Sequence, residues 1–93
     1  MEIGELWWEE HNLIELAGHR ITRGEVESVV DNDAWVAYVH PRYPEQVRVI
    51  GPTSGGRFLT VVLEPEEEPG VWRPVTGWDA TPGERQYYRE NYR

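Results

Sequence analysis

The sequence predicts an α+β domain with two N-terminal helices, an antiparallel sheet of about four strands and a C-terminal helix. Three observations predict it. Apolar residues recur at helical spacing in two short segments before Asp31, β-branched and aromatic residues dominate from Ala34 to Thr76, and a helix-opening Thr81-Pro82-Gly83-Glu84 follows. Helices first, strands next and a helix last, without βαβ alternation, favour helices set against an antiparallel sheet.

Leu6-Trp7-Trp8 reads as a short strand or an apolar anchor. Leu13, Leu16 and Ala17 then recur at i, i+3 and i+4, and Gly18 stops a short first helix. Thr22 and Glu25 form a capping-box pattern, each side chain serving an orphan backbone donor. Val26, Val29 and Val30 mark the apolar face of a second helix from Arg23 to Val30. Asp31-Asn32-Asp33 breaks it, because short polar side chains compete for the backbone, and Ala34 to His40 follows as a strand. Pro41 and Pro44 bound the next loop.

Gln46 to Ile50 and Arg57 to Leu63 flank a Gly-rich connection and form a hairpin with a turn longer than the two-residue types. Phe58 and Val62 alternate with Leu59, Val61 and Leu63, so both faces of that second strand are apolar. It is expected to be central and covered, with the helices on one face. Glu64 to Gly70 is a solvated loop of four carboxylates and two prolines. Val71 to Thr76 returns as a strand that Pro74 confines to an edge or makes irregular. Thr81, Pro82 and Glu84 fit N-cap, N1 and N3 of a last helix ending near Tyr92.

The 93 residues allow one domain, 1–93, with no internal repeat and no second core. Cysteine is absent, so five Trp, five Tyr and one Phe carry much of the packing. All nine basic residues are Arg against seventeen carboxylates, a net charge of −8 that repels nucleic acid overall. The acids concentrate in residues 1–33 and 64–68, which leaves room for a local basic surface. The acidic start at Glu2 and Glu5 and the lack of a long apolar run predict a soluble cytoplasmic protein with no membrane partner.

The loop Gly51 to Gly56 lacks the Gly-Lys-Ser/Thr ending of a phosphate loop. His11, His19 and His40 lack metal-ligand spacing, and no Ser sits in a nucleophile elbow. No metal or cofactor is implied.

Several motifs in order resemble the BrnT family of small bacterial toxins. Trp8 and Asn12 resemble its early Trp and helix Asn; His19 with Ile21-Thr22 resembles its Lys-His-Gly-Ile/Val-Ser/Thr junction; Glu25 to Val29 matches its second helix. Ile50-Gly51-Pro-Thr-Ser-Gly-Gly-Arg57-Phe-Leu59 resembles its Ile-Gly-x-Thr-x-x-Gly-Arg-x-Leu hairpin. Arg73 before Val75-Thr76, and Ala80-Thr81-x-x-Glu84-Arg85-x-x-Tyr88, complete the match. Three cations of the pattern are replaced, by Gly18, Gln46 and Trp78, with Arg48 placed to stand in for the one lost at Gln46.

The resemblance implies a RelE-like fold and the toxin of a type II toxin–antitoxin pair, held by a cognate antitoxin with a ribbon-helix-helix part. DNA would be contacted only through that antitoxin. It further implies metal-independent cleavage of RNA by attack of a ribose 2′-OH on the adjacent phosphate. Such a reaction needs a base, cations for the phosphorane charge and an acid for the leaving oxygen. His19, Arg57, Arg73 and Tyr88 are the candidate catalytic residues, and Arg48, Arg85 and Trp78 the candidate RNA-binding ones. Most have a plainer reading: His19 as a cap or packing at the interhelix turn, Arg57 and Arg73 as surface ion pairs, Tyr88 and Trp78 as packing. The alternative function is a catalytically lapsed relative that serves as a protein-interaction module.

Overall fold

The computed structural model describes all residues, 1–93. In chain order it contains β1 (Glu5–Leu6), α1 (Glu10–Gly18), α2 (Arg23–Asp31), β2 (Val36–Tyr38), β3 (Val47–Pro52), β4 (Phe58–Pro65), β5 (Val71–Asp79) and α3 (Pro82–Asn91). The α+β class and the helix, helix, sheet, helix order are those expected from the sequence. The sheet has five strands in the order β1-β5-β4-β3-β2, mixed because β1 runs parallel to β5. The extra strand is the Leu6 segment, whose pairing covers only Glu5 with Val71 and Leu6 with Trp72.

β4 is central, as its two apolar faces required, paired to β3 on one side and β5 on the other. Its alternation divides the core. Leu59, Val61 and Leu63 join Val49 against Leu16, Ile21, Val26 and Val29 of the N-terminal helical segment. Opposite them, Val36, Ile50 and Ala80 pack with Tyr38, Phe58, Tyr87 and Tyr88. Helices therefore flank both faces, where the sequence suggested one: the period of two in β4 leaves a second apolar face, and only α3 remains to cover it.

β5 is where Pro74 is accommodated. The register shifts between Val62 and Leu63: Thr76 stands opposite Val62 and Pro74 opposite Leu63, so Val75 is an extra residue. The irregularity lies beyond the two residues that β1 pairs, where β5 has no second neighbour. Gly77 brings the strands and α1 together, since a Cβ there would sit 2.9 Å from the Thr60 carbonyl oxygen and 3.2 Å from Leu16.

α1 ends differently from the simple reading of Gly18 as its stop. Gly18 is the last helical residue, and the left-handed residue is Arg20, with φ of 60°. Arg20 N–H donates to the Ala17 carbonyl and Ile21 N–H to that of Leu16, each at 2.9 Å, which is the Schellman arrangement with Ile21 packed on Leu16. The hydrophobic contact sets the turn, and arginine accepts the backbone that glycine usually takes. The capping boxes of α2 and α3 form as read, at Thr22 with Glu25 and Thr81 with Glu84.

Candidate functional site

The sequence-predicted site residues fall into four separate places. At the turn-bearing end of the β3–β4 hairpin, Arg57 Nε donates to Asp79 Oδ1 at 2.8 Å and Nη1 donates to the Arg20 carbonyl at 2.7 Å. Nη1 also lies 3.2 Å from each carboxylate oxygen of Glu25. The left-handed turn at Arg20 aims that carbonyl at the guanidinium. The Thr22 backbone N–H and then Arg57 hold the Glu25 carboxyl below its ordinary range, against opposing desolvation. The Arg57 hydrogen bond does the same for Asp79, with Arg85 adding to it. Arg57 is thus bound by two ionised carboxylates.

Arg73 is bound as fully. It reaches Glu64 at 2.7 Å, Glu66 at 3.2 Å and Glu9 at 3.8 Å, and Gln46 Nε2 donates to the second oxygen of Glu64 at 2.8 Å. Gln46, standing where the family pattern has a cation, serves the same carboxylate network instead of a phosphate.

His19 lies at the end of α1, 43% exposed, with Nε2 3.2 Å from Glu15 Oε2. That oxygen also accepts from Thr76 Oγ1 at 2.9 Å. Glu15 and Thr76, with His11, Asn12, Arg73 and Val75, line a cleft of about 410 Å³ between α1 and β5. His19 touches the cleft only through Glu15, while Arg73 forms part of its wall; these two are brought nearest to a common space.

Arg48 and Trp78 do meet. The Arg48 guanidinium carbon lies 5.3 Å from the centre of the Trp78 ring and 5.8 Å from that of Tyr38, whose hydroxyl accepts from Nη1 at 3.2 Å. No carboxylate lies within salt-bridge distance of it. Trp78 Nε1 donates to Glu84 at 3.0 Å, and Glu84 lines an adjoining cleft of about 380 Å³ with Tyr38, Ile50, Thr81, Gly83 and Tyr87.

Tyr88 and Arg85 form the fourth place, around Phe58. Tyr88 is edge-on to Phe58 and stacked on Tyr92, its hydroxyl donates to the Ala34 carbonyl at 2.8 Å, and burial, then Tyr92, raises its pKa. A phenol so placed fixes α3 to the start of the β2 segment. Arg85 lies over the Phe58 ring at 5.2 Å and donates weakly to the Ala80 carbonyl.

Base, phosphate cations and acid therefore do not converge on one point. Among the side chains lining the cleft, sequence reasoning passed over Glu15, which joins His19 to Thr76, and named Asn12 only for its family resemblance, not as a buried residue of the wall. Asn12 carried a signal: it stands four residues before Leu16, on the stripe where an apolar residue belongs. No three His, Asp or Glu side chains come together as a metal would require, and no helix is long and apolar enough to cross a membrane. No protein-family model matches the chain, and no curated protein matches it significantly.

Proposed function

We propose that the protein is a catalytically lapsed relative of the BrnT-type toxins that keeps the scaffold as a cytoplasmic protein-interaction module. The observation that carries this reading is the pairing of Arg57 and Arg73 with carboxylates: two hold the first and three surround the second. A phosphate at either guanidinium has to displace them, and the net charge of −8 opposes its approach. The lost cations at Gly18, Gln46 and Trp78 fit the same reading. A ribbon-helix-helix antitoxin is the kind of partner that the family resemblance suggests.

A second reading, the toxin as a ribonuclease, is favoured by Arg48. It is free of carboxylates and sits between two rings, an arrangement suited to a phosphate beside a stacked base. Inducible expression in a bacterium, with growth and total RNA followed, separates the two. The module reading expects normal growth and intact RNA at high expression. Growth arrest with RNA fragments, both abolished by His19→Ala or Arg48→Ala, would overturn it in favour of the ribonuclease.

A further inference from the structure

We infer that the sheet face beside α3 docks an extended segment of a partner protein by two side chains. Arg48 holds an acidic one, and the adjoining cleft seats an aromatic one two residues away. The inference rests on the protein-interaction reading and gives that contact its chemistry. Three arginines are partly buried: Arg48, Arg57 and Arg73. Carboxylates hold Arg57 and Arg73, whereas Arg48 has none within salt-bridge distance in a chain that has seventeen. Its one side-chain hydrogen bond goes to a neutral acceptor, the Tyr38 hydroxyl, at 3.2 Å. A guanidinium has five N–H donors in a planar fork, so Arg48 keeps donors for the paired oxygens of an outside carboxylate.

The cleft supplies the second contact. Tyr38, Arg48 and Val62 stand side by side across β2, β3 and β4, on the face where Val36 and Ile50 pack beneath α3. Tyr38 and Ile50 line the cleft from the sheet, and Tyr87 and Gly83 line it from α3. At Gly83 the wall has no side chain: a Cβ there would meet only Thr81 Oγ1, at 4.0 Å. The Tyr38 ring centre is 5.8 Å from the Arg48 guanidinium carbon and 5.4 Å from the centre of the Tyr87 ring. Tyr38 thus belongs to both contacts. An extended chain places residues i and i+2 on one side, about 6–7 Å apart, so a single segment can reach the guanidinium and the cleft together. Tilted tyrosine rings around Ile50 suit an aromatic side chain better than a polar one.

Charge selects one carboxylate over a run of phosphates. Gln46, two residues before Arg48 on β3, gives its amide to Glu64, and Trp78 gives its indole N–H to Glu84. Arg48 is therefore a single cation at this place. Glu84 also accepts from the Thr81 N–H at 2.9 Å, which fixes a negative group in the cleft wall. A nucleic-acid strand brings a charge with every nucleotide to one guanidinium, to Glu84 and to a net −8. One carboxylate with an aromatic neighbour asks for one cation and an apolar seat. Approach from this side is also the less opposed: residues 34–63 hold three Arg and one acid, while residues 1–33, which supply the helices of the other face, hold nine acids.

Amide-resolved NMR of the full chain, titrated with the blocked peptide acetyl-Phe-Ala-Glu-Ala-Phe-amide, tests the inference. Its one charge is the glutamate side chain, and its symmetry presents an aromatic residue in either chain direction. The expected result is saturable shifts at Tyr38, Arg48, Trp78 and Gly83, with affinity at least about tenfold weaker when glutamine replaces the glutamate. Arg48→Gln is expected to weaken binding by a similar factor. Gly83→Leu fills the cleft from an open position of α3 and is expected to abolish binding; it carries the test if Arg48→Gln does not fold. Arg23→Gln, on α2 across the sheet, removes the same charge and leaves binding unchanged. Equal affinity for the glutamine peptide, no shift at these residues, or binding that survives Gly83→Leu overturns the inference and leaves the module reading to the growth and RNA assay. A short oligoribonucleotide that shifts the same residues at lower concentration than the peptide overturns the inference, and its cleavage overturns the module reading as well.

Discussion

Arg57 joins three stretches that are far apart in the chain: the α1–α2 turn through the Arg20 carbonyl, the first turn of α2 through Glu25 and the end of β5 through Asp79. The sequence marked it as a cation for phosphate; its geometry is that of a structural tie. Arg57→Met, which keeps an apolar stem, is expected to cost about 1–2 kcal/mol at pH 7, a range held low because the site is partly exposed. The sign with pH follows from Glu25 and Asp79, both of which have folded pKa values below their ordinary 4.5 and 3.8. Such groups contribute stability that is complete above the unfolded value and is lost as pH falls through the folded one. Urea denaturation should therefore show the full wild-type advantage at pH 7 and a smaller one as pH is lowered below the unfolded carboxylate range toward pH 3. An equal loss at both pH values would assign the effect to packing of the stem.

Among the elements, α2 and α3 have the same capping box and opposite supports. Val26 and Val29 of α2 are fully buried, whereas α3 buries no residue completely and rests on Tyr87, Tyr88 and its cap. Removing the cap with Thr81→Ala is expected to cost about 1 kcal/mol. The loss should appear as faster amide exchange confined to Gln86 through Asn91. Thr22→Ala, at a similar cost, should instead lower protection across the helices and β4 together, because α2 opens only with the core. In β5, Gly77→Ala places a methyl against the Thr60 carbonyl and Leu16, so a loss of at least about 2 kcal/mol is expected in a chemical melt. A cost under 0.5 kcal/mol, on the order of a surface change, would mean that β5 can shift away from α1.

The molecule carries −8 within a radius of gyration of 12.2 Å. Salt acts on it in two directions, weakening the ion pairs at Arg57 and Arg73 and screening the repulsion among the excess carboxylates. Exposed ion pairs contribute at most about 1 kcal/mol each and are local, whereas the repulsion is summed over the whole surface. The second effect should win, and Tm should rise between 20 and 500 mM NaCl, on the order of a few degrees for a domain of this size. A fall in Tm over that range would show that the carboxylate–guanidinium networks outweigh the net charge.

The fold class, both capping boxes, the central place of β4 and the disturbance at Pro74 were all legible in the chain. Each depends on neighbours within a few residues: a side chain reaching its own helix start, a period of two, a missing N–H. The three-layer arrangement, the parallel pairing of β1 and the Schellman turn with Arg20 in place of glycine came from contacts across the fold. The same division runs through the candidate site. The family resemblance named His19, Arg48, Arg57, Arg73, Trp78, Arg85 and Tyr88, as cations, an imidazole and aromatic rings at or beside the positions of its pattern. Which carboxylate each cation meets is decided only in three dimensions, since Asp79 and Glu25 reach Arg57 from distant positions, as Glu9 reaches Arg73. The sequence by itself determined that this is an acidic α+β domain held by aromatic and aliphatic packing. The tertiary structure alone decided that Arg57 and Arg73 are held by carboxylates and that a buried Asn12 lines a cleft, because charge pairing and burial are properties of proximity, which composition and spacing do not contain.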